Sequence, residues 1–163
     1  MFIGEFHHTI DDKKRLIIPS KFREELGNEF IITRGIENCL YVYSKASWDE
    51  ITNKLGTLPF TKKNARSFNR FFLSGATVAE FDKNGRVLIT SPQLSYAEIT
   101  KECVIIGVGD RLEIWSLEKW NDFYDSASQD MSDIAEHLFN GSDENVWSAY
   151  IGASRRGNFI TKY

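Results

Sequence analysis

The stretch Asp11–Gly27, "DDKKRLIIPSKFREELG", returns later in the chain as Asp82–Glu98, "DKNGRVLITSPQLSYAE". Each copy opens on an aspartate, reaches an arginine four residues on, continues through an apolar run and passes into helix-forming sequence. At an offset of 71 residues Gly4 meets Gly75, Asp11 meets Asp82, Arg15 meets Arg86, Ile18 meets Ile89 and Ser20 meets Ser91. At an offset of 72, Gly35 meets Gly107, Leu40 meets Leu112, Ser44 meets Ser116 and Trp48 meets Trp120. One residue inserted between the helix and the next strand accounts for the change of offset. The period is too long for a solenoid and the copies too few, so the sequence predicts a pseudo-symmetric pair. The first repeat with its helix is expected over residues 1–75, and the second, with C-terminal helices and a basic tail, over 76–163.

Each copy predicts the same order of elements, in an α+β fold. A strand ("EFHHTI" or "TVAEF") leads into a tight turn ("DDKK" or "DKNG"). Asn84-Gly85 in the second turn tolerates positive φ. A short strand rich in β-branched residues follows, and then a short helix. Ser20 and Ser91 are placed to cap it, and Pro92 suits its first position. Gly27 is placed to close the first helix in a left-handed conformation. Two more strands come next, with Ser44 and Ser116 as caps of the segments holding Trp48 and Trp120. "KKNARSFNRFFLSG" puts Ala65, Phe68 and Phe72 on one helical face and Arg66 and Arg70 on another. In the second copy Met131, Ile134 and Leu138, then Val146, Trp147, Tyr150 and Ile151, predict two amphipathic pieces broken near "NGSDEN". Residues 154–163 form the basic tail.

The chain has 163 residues, 42% of them apolar, with twelve Phe, six Tyr and four Trp. That is enough to bury a core, although each half alone would be marginal. No apolar run approaches the roughly 20 residues that span a bilayer. "MFIGEFHH" does not read as a secretory signal. Cys39 and Cys103 occupy non-equivalent places in apolar strands, as small buried residues in a reducing cytoplasm. His7, His8, His137 and two scattered cysteines do not supply zinc spacing, so no metal site is expected. The net charge is −3, but residues 1–75 carry +3 and residues 76–163 carry −6. The first half therefore predicts a basic working face and the second a solvated acidic region.

The two D-x-x-x-R turns are the strongest candidates for function. An aspartate opening a turn accepts backbone N–H groups and pairs with the arginine, setting the angle of the guanidinium. A guanidinium so oriented suits guanine O6/N7 or phosphate. Lys13, Lys14, Arg15, Lys83 and Arg86 are thus candidate DNA contacts, with Asp11, Asp82 and Gly85 shaping the loops. Arg66 and Arg70 are weaker phosphate candidates. Phe68, Phe71 and Phe72 read as core or subunit-interface residues, Trp48, Trp120, Trp115 and Tyr43 as packing residues, and a ligand role for His7-His8 is not expected. No nucleophile elbow, P-loop, Rossmann glycine pattern or zinc-protease motif is present, and "GVGDRLE" lacks the spacing and helix that phosphate binding needs. Neither enzyme activity, nor a cofactor, nor a small-molecule substrate is expected.

The order turn, arginine, apolar strand, helix resembles the AbrB-type swapped-hairpin DNA-binding unit, here supplied twice by one chain. "MFIGEFHHTID", "DDKKRLIIPSKFREELG", "CLYVY" with its tryptophan, "ARSFNRFFLSGA", "DKNGRVLI" and "IIGVGDRLEIW" together resemble the MraZ family over residues 1–125 or so. The resemblance implies two AbrB-like repeats completing one barrel, flanked by amphipathic helices. It also implies a bacterial transcriptional regulator of the division and cell-wall gene cluster, cytoplasmic and associated with the nucleoid. Such a protein binds repeated G-containing promoter boxes upstream of its own gene and assembles into a ring-shaped homo-oligomer. Three features depart from the family pattern. Lys14 stands where Gly85 stands in the second copy, Thr90 replaces the proline that Pro19 supplies in the first, and the region beyond residue 126 matches only in being helical. The other reading, motivated by the acidic C-terminal helices, is a protein-interaction module, an antitoxin-like scaffold without specific DNA binding.

Overall fold

The computed structural model describes residues 1–139, so the second amphipathic piece (Val146 to Ile151), the break near "NGSDEN" and the basic tail lie outside the described residues. The chain runs β1 (Phe2–Thr9), β2 (Arg15–Ile17), α1 (Ser20–Leu26), β3 (Glu29–Arg34), β4 (Leu40–Ser44), α2 (Lys45–Gly56) and α3 (Lys63–Ser74). The second half continues with β5 (Thr77–Glu80), β6 (Arg86–Leu88), α4 (Ser91–Tyr96), β7 (Glu102–Gly109), β8 (Leu112–Ser116) and α5 (Leu117–Phe139). Residues 1–120 form one compact unit and a second begins at residue 121, so α5 beyond Trp120 is described by itself. Its Met131, Ile134 and Leu138 recur at helical spacing and are exposed. No described helix is long and apolar enough to cross a membrane.

The repeats exchange strands. β1 of the first pairs antiparallel with β7 of the second, and β5 of the second pairs with β3 of the first. β2 and β6 form a separate two-stranded ribbon. The six-stranded sheet runs β1-β7-β8-β4-β3-β5, with β1 and β5 as its edges and no pairing that joins them. The fold is α+β with an antiparallel sheet, and closure into a barrel is not made by hydrogen bonds among the described strands.

An internal two-fold follows from the registers. In the ribbon Leu16 faces Val87, its own equivalent, while Arg15 faces Leu88 and Ile17 faces Arg86. In the sheet Tyr41 faces its equivalent Glu113, with Leu40 opposite Ile114 and Val42 opposite Leu112. The axis therefore passes through both self-equivalent pairs. The registers also correct the sequence alignment. Phe30 faces Ser44 as Cys103 faces Ser116, so β3 and β7 correspond at an offset of 73. Two residues are inserted before β7 and one is removed from the following hairpin, which restores 72. Gly35 and Gly107 are consequently not equivalent: Gly35 lies just past β3, whereas Gly107 lies inside β7.

Burial on both faces explains the continuous apolar runs of the central strands. Phe30, Ile32, Leu40, Ile105 and Ile114 point to one core with Leu16, Ile18, Phe22, Val87 and Ile89 from the ribbon and α1. Tyr41, Tyr43, Val104 and Trp115 point to the other, against Trp48, Phe68, Phe72 and Trp120. The aromatic residues read as core or packing residues do pack: Phe68 stacks on Phe72 at 5.4 Å, and Trp115 meets Trp120 edge-on at 5.7 Å. Cys39 and Cys103 are free and buried, and burial pushes their thiols up to about 12 and about 11.

The helix caps need one correction. Ser44 Oγ accepts from the Ser47 N–H and Ser116 Oγ from the Lys119 N–H, as expected. Ser20 and Ser91, however, are the first helical residues, and the caps are the residues before them, Pro19 and Thr90. Pro19 offers no side-chain bond. Thr90 forms a capping box with Gln93, whose buried amide also donates to the Ile32 and Gly75 carbonyls. Pro92 accordingly sits second in its helix. Gly27 closes α1 at positive φ (78°), but with an extended ψ of −172°.

Gly107 admits β1 to the sheet. A Cβ there would lie 2.3 Å from the Ile3 nitrogen and 2.4 Å from the Phe2 carbonyl carbon. Gly107→Ala should therefore force β1 away from β7. We expect a loss of about 1–3 kcal/mol, by analogy with overpacked cores, measured by denaturant unfolding, with protection of the β1 amides lost first in hydrogen exchange.

Candidate nucleic-acid interface

The two D-x-x-x-R turns fold alike because the aspartate takes the same three jobs in each. Asp11 Oδ1 accepts from the Lys13 and Arg15 N–H groups, both at 2.9 Å, and Asp11 Oδ2 accepts from Arg15 Nε at 2.8 Å. Asp82 Oδ1 accepts from the Asn84 and Arg86 N–H groups at 2.9 and 3.0 Å, and Asp82 Oδ2 from Arg86 Nε at 2.8 Å. The backbone closes each turn with reciprocal bonds. Asp11 N–H donates to the Arg15 carbonyl and Lys14 N–H to the Asp11 carbonyl, and Asp82, Arg86 and Gly85 repeat the pattern.

Positive φ at the fourth position makes this possible. Gly85 adopts 75° freely, whereas Lys14 adopts 63° at some steric cost, as its place opposite Gly85 implied. The two carbonyls are thereby aimed across the dyad. Ile89 N–H donates to the Lys14 carbonyl at 2.9 Å and Ile18 N–H to the Gly85 carbonyl at 3.2 Å. Each turn is bonded to the other repeat.

The ribbon brings the turns together. Leu16 and Val87 point into the core, so Arg15, Ile17, Arg86 and Leu88 share its outer face. The guanidiniums lie on one diagonal and the exposed Ile17 and Leu88 on the other. Arg86 Nη1 also approaches Asp11 Oδ2 at 3.9 Å. With side chains 29% and 26% exposed, Arg15 and Arg86 are clamped rather than free. Nε faces its own aspartate in each, which turns the Nη groups outward, those of Arg15 and Nη2 of Arg86 away from the carboxylates, an orientation that suits guanine or phosphate. Lys13, Lys14 and Lys83 are exposed at the turns, and Lys14 Nζ donates to Ser91 Oγ of the second repeat.

All five predicted cations and all three loop-shaping residues thus fall in the two turns. Arg66 and Arg70 lie on α3 instead, and Arg66 Nη1 donates to the Phe60 carbonyl. His7 contacts Glu5 on the edge strand β1. No group of three or more potential metal ligands occurs among the described residues. The sequence reading passed over Arg23, whose Nη1 donates to the Ile18 carbonyl at 2.6 Å and whose guanidinium covers Gly85. It passed over Arg34 as well, which donates to the Phe71 carbonyl and Ser74 Oγ and fixes the end of α3.

A chain that folds two swapped-hairpin repeats about an internal axis, with matched arginine turns on one ribbon, defines a tandem strand-exchanged class. The family model described as "MraZ protein, putative antitoxin-like" matches this chain twice, over residues 1–71 and 72–142. Three proteins named Transcriptional regulator MraZ are similar over 138 residues, 85% of this chain and 96% of each relative. They come from Lactobacillus gasseri (52% identical), Lactobacillus johnsonii (53%) and Lactobacillus helveticus (52%). The chain belongs to the MraZ family.

The turns carry a pH signature. The Arg15 N–H, followed by its side chain and the Lys13 N–H, holds the Asp11 carboxyl below its ordinary value against a smaller opposing desolvation. Asp82 is lowered by the Arg86 and Asn84 N–H groups and the Arg86 side chain. A carboxylate whose folded pKa is depressed stabilises the fold fully above its unfolded pKa, near 3.9, and loses that contribution as pH falls through the folded value. The Lys13, Arg15, Asn84 and Arg86 amide resonances should therefore be unchanged from neutral pH to about pH 4 and shift together below it. Asp11→Asn should abolish the shift in the first turn alone.

Proposed function

We propose that this chain is a transcriptional regulator that binds double-stranded DNA sequence-specifically through the outer face of the ribbon and its two turns. The observation that carries the reading is the pair of equivalent guanidiniums, each oriented by its own aspartate, side by side on one exposed face. Orientation matters because a bidentate arginine–guanine contact is directional, whereas attraction between an untethered lysine and DNA is not. The names of the relatives support a regulatory role.

The target is the set of repeated boxes upstream of its own gene, in the promoter of the division and cell-wall cluster. The two repeats, 1–75 and 76–163, act as one swapped-hairpin barrel, with the ribbon laid over the sheet. Each turn has an excess of only one positive charge, so a single subunit grips weakly. A ring-shaped homo-oligomer that sets several ribbons on successive boxes supplies the missing affinity by avidity. The protein works in the cytoplasm at the nucleoid, without catalysis, cofactor, membrane or small-molecule substrate.

Binding to the promoter duplex, with a scrambled duplex of equal length as control, tests this. Arg15→Ala and Arg86→Ala should each weaken promoter binding by roughly 1–3 kcal/mol, the range for a lost bidentate base contact, without changing the oligomer. Equal affinity of the wild type for both duplexes would sink the reading. Capture of a stoichiometric protein partner in that case would favour the interaction-module alternative.

A further inference from the structure

Arg23 breaks the internal two-fold in a way that the DNA-facing surface explains. At the offset of 71 that relates the turns and short helices, its counterpart is Leu94, a partly buried apolar residue. Lys14, four residues before Ile18, has Gly85 as its counterpart. The first turn thus carries three cations of its own, Lys13, Lys14 and Arg15, and the second only Lys83 and Arg86. Arg23 fills the gap. A Cβ built on Gly85 would lie 2.5 Å from Arg23 Nη1 and 2.6 Å from Cζ, so the guanidinium occupies the space a side chain at position 85 would take. Both cations cross between repeats: Lys14 reaches from the first turn to Ser91 on α4, and Arg23 reaches from α1 to the second turn.

Arg23 also borders an open cleft of about 410 Å³ between the end of α1 and the second turn. Asn28, Lys83 and Asn84 line it with donors. Glu24 and Asp82 line it too, but the Asp82 carboxylate already accepts three hydrogen bonds within the turn. Arg23 spends Nη1 on the Ile18 carbonyl, and that bond fixes the direction of the rest of the guanidinium.

We infer that Arg23 is the third cation of the second turn and contacts a DNA phosphate in this cleft, so that each turn of a subunit meets the duplex with three cations. This rests on the DNA-binding reading above and deepens it. Two turns that each present three cations about one axis engage the duplex as a pair rather than as one working turn and one structural copy.

The test is the salt dependence of binding to the promoter duplex and to the scrambled duplex. A phosphate contact contributes a slope of nearly one in log affinity against log salt. Arg23→Gln, which removes the charge and keeps a polar side chain, should bind both duplexes more weakly and flatten the slope by about 1. Arg23→Ala combined with Gly85→Lys should return the slope to the wild-type value, because it rebuilds in the second turn the arrangement of the first. Unchanged affinity and slope in Arg23→Gln, with Arg15→Ala weakened, overturns the inference and leaves the functional reading standing. Weakened binding with an unaltered slope and no recovery in the double variant makes Arg23 a structural brace and also overturns it. A wild type without salt-dependent binding overturns the functional reading and this inference with it.

Discussion

The structure depends on a reciprocal pair of backbone hydrogen bonds, Ile89 N–H to the Lys14 carbonyl and Ile18 N–H to the Gly85 carbonyl. Each requires a left-handed residue to end a turn and send its carbonyl across the dyad. Once both are made, the ribbon has one register, Leu16 faces Val87, and the side chains that alternate with them must face outward. The aspartates then set the arginines on that face. The features that build the core and those that display the guanidiniums are therefore the same few residues, and neither can drift without the other.

Strand exchange imposes a second constraint. Because β1 completes the second repeat and β5 the first, neither repeat has its full sheet when cut from the chain. The central strands β3, β4, β7 and β8 are then buried on both faces, which is why their sequences are almost continuously apolar. The turns remain the polar part of each repeat, stiffened by bonds internal to five residues. A rigid tip on a two-sided core suits recognition that depends on the angle of a side chain.

The sequence made the local devices legible. Asp11 with Arg15 and Asp82 with Arg86 lie four residues apart, and their pairing needs only the turn itself. The Ser44 and Ser116 caps are local in the same sense. The equivalence of β3 and β7 was hidden because two inserted residues and one deleted residue cancel to a net offset that looks like a single insertion. The caps at Pro19 and Thr90 were missed by one position, since serine in the first turn resembles serine before it. Arg23 was illegible for a different reason: its contact lies 62 positions away at Gly85, and its only trace was the unequal pairing of Lys14 with Gly85. The exchange of strands is non-local too and was implied only by the family resemblance, whereas the open edges of the sheet were not implied by it.

The meeting of Tyr41 with Glu113 on the internal axis bears on what tandem duplication permits. In a symmetric dimer a residue on the axis confronts its own copy, so a glutamate there would confront a glutamate. One chain carrying both halves escapes that rule. Here Arg111 bonds Glu113 at 2.7 Å and lies 4.2 Å from the centre of the Tyr41 ring, one cation serving an acid on one side and an aromatic face on the other. Fusion thereby turns the axis from the most restricted place in the molecule into one where the halves can specialise.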